Sequence, residues 1–197
     1  NTANGVTALW GNTTGYYNSA NGLSALESNT TGYNNTANGV YALQTNTTGA
    51  SNTANGVNAL ISNTTGNNNT ANGMNALYSI TTGNYNSSLG YNSGTYIVDG
   101  ATANATSTNS LYLGANTKAL ISGDTNEIVI GDSATGNGSN SVTLGNTSIT
   151  KTVLRGNVGI GTTSPITQLH VPGKVPTAAV GSVGTGIDPI SVYVQGR

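Results

Sequence analysis

Asp124, Glu127 and Asp132 place three carboxylates within nine residues, the densest set of hard oxygen ligands in the chain. Such a set could hold a divalent cation. Their spacing matches neither an EF-hand loop nor the G-G-x-G-x-D nonapeptide, so they read as solvated edge charges. Lys151 and Arg155 stand close enough in sequence to pair with them across coils or chains. His170 is the single histidine and has no second His, Cys or carboxylate near it, which makes it a junction residue rather than a base or ligand. The run Gly156-Asn157-Val158-Gly159-Ile160-Gly161 is glycine-rich but lacks the G-K-[ST] ending of a phosphate-binding loop. With one histidine, no Ser-His-Asp arrangement is suggested. No catalytic, cofactor-binding or metal-binding residue is assigned, and the chain is expected not to be an enzyme.

Two weaker chemical signals remain. N-x-[ST] sequons such as Asn12-Thr13-Thr14 and Asn29-Thr30-Thr31 recur, as they must in an Asn/Thr-rich repeat. Trp10, Tyr16, Tyr17, Tyr33 and Tyr41 could stack on sugars, although variable repeat positions also tolerate aromatics.

The elements that would carry these residues are set by a repeat. Glycines fall at Gly5, Gly22, Gly39, Gly56, Gly73 and Gly90, a constant step of 17, and a second series runs from Gly15 to Gly100 at the same step. The unit reads N-[TS]-A-N-G-φ-x-A-L-x-x-N-T-T-G-x-x, where φ is apolar. Five copies start at Asn1, Asn18, Asn35, Asn52 and Asn69; a sixth starts at Asn86 and decays, with Leu89 for Asn and Gly94 for Leu. Helical-hairpin repeats need more than about 30 residues and a propeller blade about 40. A 17-residue unit suits one coil of a β-solenoid or β-roll, with Gly and Asn at corners that need positive φ.

Stacked coils would align identical residues into ladders, among them Asn12, Asn29, Asn46 and Asn63, giving a polar exterior that still bonds coil to coil. The expected core ladder is Val6, Leu9, Leu26, Val40, Leu43, Val57, Leu60 and Leu77 in the 17-residue coils. After Gly100 the pattern becomes N-x-φ-x-φ-G, at 109–114, 126–131 and 140–145, with a weaker form at 157–161. That alternation is of short strands with one buried face, and adds Leu113, Ile130 and Leu144 to the ladder. One large aliphatic pair per coil is thin filling for a lone solenoid, so a parallel homotrimer pooling three sets is expected.

The segment Asn140-Ser141-Val142-Thr143-Leu144-Gly145, with its 14-residue step, resembles the N-S-V-A-I-G head repeat of trimeric autotransporter adhesins. The resemblance implies a trimeric left-handed β-roll. Gly156 to Pro165 followed by Leu169-His170-Val171 is similar to a junction of phage tail fibres and related bacterial surface proteins. The A-L-x-x-N-T-T-G units also resemble tail-fibre and adhesin repeats. Asp188-Pro189 through Arg197 resembles the opening strand of a blade in bacterial surface β-propellers. The chain opens at Asn1 in phase with the repeat, so a segment of a longer chain is expected, and the membrane anchor and C-terminal chaperone domain of many such fibres could lie outside it.

Four regions follow: a 17-residue-repeat β-roll at 1–100, an adhesin-head-like β-roll at 101–162, a Pro/Gly linker at 163–189, and the first strand of a further domain at 190–197. Five basic and six acidic side chains leave no stripe for nucleic acid. No apolar run reaches the ~20 residues of a membrane span. The expected role is an extracellular stalk or spacer of a fibre or adhesin, on a virion or a cell surface, that displays a tip domain. The rivals are a subunit of a polymerised extracellular filament and a glycan- or ice-binding solenoid. Expected partners are two further copies of the chain and a surface glycan or receptor; no cofactor is expected.

Overall fold

Each repeat contributes one three-residue strand, and the strands stack. The structure, a computed structural model, describes residues 1–160, 163–164 and 169–170. In the 17-residue repeats the strands are β1 (Thr2–Asn4), β2 (Ser19–Asn21), β3 (Thr36–Asn38), β4 (Thr53–Asn55), β5 (Thr70–Asn72) and β6 (Ser87–Leu89). The later repeats give β7 (Leu111–Leu113), β8 (Ile128–Ile130) and β9 (Val142–Leu144). All nine form a single parallel sheet in sequence order, with Ala37 opposite Ala54 and Tyr112 opposite Val129. The sheet therefore runs through both repeat types. The described residues contain no helix: this is an all-β solenoid of roughly 17-residue coils, with neighbouring strands at the usual ~4.8 Å spacing.

Asn1–Thr150 forms one unit and Lys151–Arg197 a second. In the second, β10 (Val158–Gly159) pairs in parallel with β11 (Leu169–His170). The weak fourth copy of the later pattern thus lies outside the nine-stranded sheet. The expected linker, apart from residues 163–164 and 169–170, and the expected strand at 190–197 lie outside the described residues.

The third coil shows why the repeat closes. Ala37 points inward while Thr36 and Asn38 face out, the alternation a strand imposes. Asn35 is fully buried and does two jobs: its Nδ2 donates to Gly49 O at 2.8 Å across the coil, and its Oδ1 accepts from Asn52 N at 2.9 Å in the next. Gly39 has φ +146, and a Cβ there would lie 2.4 Å from Gly56 O, so both conformation and space demand glycine. Gly49 has ordinary φ but the same lack of room, 2.5 Å to Gly66 O.

Gly and Asn were the expected left-handed residues, but leucine takes one of the corners. Leu9, Leu26, Leu43, Leu60 and Leu77 all have φ between 49° and 55°. A left-handed leucine costs about 1–2 kcal/mol. Full burial of a leucine side chain returns about 1.5–3 kcal/mol, so the corner holds only because it drives that side chain inward. Leu26, Leu43, Leu60 and Leu77 have no exposed surface, whereas Thr31, Thr48 and Thr65 of the N-T-T-G corner are exposed.

The core differs from the expected ladder at several positions. Leu9, Val40 and Ile130 are half-buried; Val6, Val57, Leu113 and Leu144 are exposed. Val6 and Val57 sit on the outer side of the bend after the glycine, because the interior there is already filled by the Ala and Leu two and three residues on. Leu113 and Leu144 face out because the pleat turns their neighbours Tyr112 and Thr143 inward. Nor is the Asn12-to-Asn63 ladder part of a polar exterior. Asn29, Asn46 and Asn63 are fully buried, each Nδ2 donating to the previous Oδ1 at 2.7–2.8 Å. These amides fill the interior that the aliphatic residues leave, so one chain closes its own core. The ladder stops where Ile80 takes the next position, leaving Asn63 Oδ1 buried without a partner.

The decayed sixth coil is a repacking. Gly94 stands where the other coils carry leucine, and a Cβ on it would lie 2.5 Å from the Tyr112 ring and 2.8 Å from Leu77. Tyr112 stands where they carry alanine, and is fully buried. Volume removed from one position is filled from the other. The step to the following strand also lengthens from 17 to 24 residues. The extra length forms a small hairpin, bridged at Tyr96 and Ala103, with Ile97 N donating to Thr102 O.

Candidate functional site

The three clustered acids do not converge. Asp132 is exposed, whereas Asp124 and Glu127 are buried, which corrects their reading as solvated edge charges. Burial is tolerated because donors meet them. Asp124 accepts from Ile121 N and from the Ser139 hydroxyl, both at 3.0 Å. Glu127 Oε1 accepts from Gly138 N at 2.9 Å, and Oε2 from the Tyr112 hydroxyl at 3.4 Å. Among the described residues no group of three His, Cys, Asp or Glu could hold a metal ion. His170 lies in β11, and Lys151 and Arg155 are exposed in the second unit.

Burial raises the Glu127 pKa above its ordinary value; Gly138 N–H opposes this and the nearby Asp124 charge adds to it. Burial likewise pushes the Tyr112 phenol up to about 12. A carboxyl raised in the fold contributes stability that is complete below the ordinary carboxylate range and lost as pH rises through its folded value. Glu127→Gln is therefore expected to be more stable than the parent at pH 7 and to flatten the fall in stability from about pH 4.5 upward. Urea midpoints measured across that range test it; an unchanged slope refutes the assignment.

The candidate aromatics largely meet one another. Tyr16 stacks on Tyr33 with centroids 5.0 Å apart and planes at 6°, and Tyr17 packs edge-on against Tyr16. Trp10 is exposed and Tyr41 half-buried. The first threonine of each N-T-T-G corner is engaged between coils: Thr13, Thr30, Thr47 and Thr64 each donate a hydroxyl to the next coil's carbonyl at 2.9–3.1 Å.

The outer face of the sheet changes character along its length. From β1 to β5 it presents Thr or Ser with Asn, and Asn21, Asn38, Asn55 and Asn72 form an outer amide ladder with spacings of 2.7–2.9 Å. At β7 to β9 the same positions carry Leu111 and Leu113, Ile128 and Ile130, Val142 and Leu144. Val142 is 61% exposed and Leu144 53%, on either side of the half-buried Thr143, whereas the inward residues of β7 and β8 are the fully buried Tyr112 and Val129. No protein family, characterised protein or solved structure matches this chain. Among the described residues no helix is long and apolar enough to cross a membrane.

At β7 and β8 the sheet face turns apolar over an interior filled by Tyr112 and Val129. Alternating pleats dictate it: once Tyr112 and Val129 point in, their neighbours must point out. The alternation of N-x-φ-x-φ-G was legible, but which parity faces the coil interior was not, because both parities are apolar in L-Y-L and I-V-I.

Proposed function

We propose that this chain is a stalk or spacer segment of an extracellular fibre or adhesin, assembled as a parallel homotrimer. The observation that supports the reading best is the outward apolar face of β7 to β9, on which Leu113, Val142 and Leu144 are exposed and Leu111, Ile128 and Ile130 half-buried. Contiguous exposed apolar surface favours association, and three copies meeting on these strands would bury it about one axis. The single-chain core does not call for partners; the outer face does. The role is mechanical. Coil number sets length, and main-chain bonds between coils, with amide ladders through the 17-residue repeats, resist bending and proteolysis. Near-absence of charge from Asn1 to Val98, where Glu27 is the one charged side chain, avoids repulsion along each stacked column.

Sedimentation equilibrium tests the assembly. The expected mass is three times the 19.7 kDa chain. Leu113→Asp is expected to dissociate the trimer at micromolar concentration while the far-ultraviolet β signal persists, because Leu113 lies outside the coil and three carboxylates would crowd an apolar axis. A monomeric parent, or a trimer that survives Leu113→Asp, would sink the proposal.

A further inference from the structure

The 17-residue rhythm gives way to a longer step after the sixth coil, and the hairpin made by the extra residues flanks a cleft of ≈ 170 Å³ lined by Asn92, Tyr96, Gly100, Asn116 and Lys118. The polar groups there share a direction. Asn58 Nδ2 donates to Asn75 Oδ1 at 3.0 Å, Asn75 to Asn92 at 3.0 Å, and Asn92 to Asn116 at 3.3 Å. Aligned bonds polarise one another, and the chain ends on Asn116 Nδ2, which meets no acceptor among the described residues. Ser133 follows in this column, and its hydroxyl bonds Asp132 instead.

Lys118 adds an ammonium with no carboxylate in ion-pair distance among the described residues. The acid on the hairpin, Asp99, is turned onto its own loop: Oδ1 accepts from Ala101 N at 2.9 Å and Thr102 N at 2.8 Å, and Oδ2 from the Thr102 hydroxyl. The Tyr96 ring is half-exposed, and nothing lies within 4 Å of a Cβ built on Gly100. The cleft thus combines uncommitted N–H donors, an unpaired cation, an aromatic surface and room for one pyranose.

We infer that this cleft binds a carboxylate-bearing sugar, a hexuronate unit of a polysaccharide, with the carboxylate on Lys118 and Asn116 and the ring against Tyr96. A charge-assisted contact supplies most of the selectivity and the ring face the shape. The inference concerns the single chain and does not depend on the trimer.

Calorimetric titration of the full chain with trigalacturonate, its methyl ester and sodium acetate tests it. Saturable binding of the acid is expected, with the neutral ester and acetate each at least ten-fold weaker. Lys118→Gln is expected to weaken trigalacturonate at least ten-fold. Asn116→Asp keeps a residue type suited to the left-handed corner at φ 52 but replaces the donor with a carboxylate, and is expected to abolish binding. Equal affinity for the ester or acetate, unchanged binding by Lys118→Gln, or no saturable binding by the parent overturns the inference.

Discussion

Gly94→Leu and Tyr112→Ala should each destabilise the solenoid strongly, and the double variant should be far more stable than the sum of the two losses allows. Tyr112→Ala empties a fully buried ring site, a change that costs about 3–5 kcal/mol. Gly94→Leu drives a side chain into the Tyr112 ring and Leu77; overpacking costs about 1–3 kcal/mol, and the left-handed corner at φ 65 a further ~1–2. Together the two changes recreate the leucine-over-alanine packing of the regular coils. A favourable coupling of about 2 kcal/mol in a double-mutant cycle is expected. Recovery stays incomplete because Glu127 and Asn104 lose the tyrosine hydroxyl that both contact. Simple additivity would show that the two positions do not share one volume.

Two asparagines at equivalent sequence spacing should behave oppositely. Asn46 is fully buried, bonds Asn29 Oδ1 at 2.8 Å and Gly49 O at 3.0 Å, and accepts from Asn63 at 2.7 Å. Asn46→Ala leaves Asn29 Oδ1 without its donor inside the coil and opens a void. The expected loss is about 2–4 kcal/mol, combining an unsatisfied buried group with a cavity. Asn38 belongs to the outer ladder, where it accepts from Asn21 and donates to Asn55. Water replaces those partners, so Asn38→Ala should cost under about 1 kcal/mol. Chemical denaturation of both variants decides this; equal losses would mean that interior and exterior ladders are not distinct.

The repeat was enough to specify a stacked all-β coil, because only a short closed unit accommodates a 17-residue period and only glycine survives where backbones of adjacent coils touch, as Gly39 does against Gly56. It also marked the leucine column as interior. Residue type misled where polarity and burial part company. Asparagine looked like surface, yet Asn35 and Asn46 are interior, because the coil supplies carbonyl and amide partners that match the side-chain amide. Valine looked like core, yet Val57 is exposed, because the bend after Gly56 turns it outward.

The cleft and the buried acids were legible only in part. Asp124 and Glu127 were conspicuous as carboxylates, but their donors come from Ile121, Ser139, Gly138 and Tyr112, on three different stretches of chain. Gly94 was visible as a departure from the repeat, though nothing local says that Tyr112, far along the chain, fills the space it leaves. The sequence by itself determined the period, the strand-forming segments and the glycine columns, all properties of short segments repeated in register. Tertiary structure alone decided which side of each strand faces the interior, which amides are buried and where the outer face turns apolar. Those outcomes depend on how the coil closes on itself, and closure brings together residues that a linear reading holds 14, 17 or 24 positions apart.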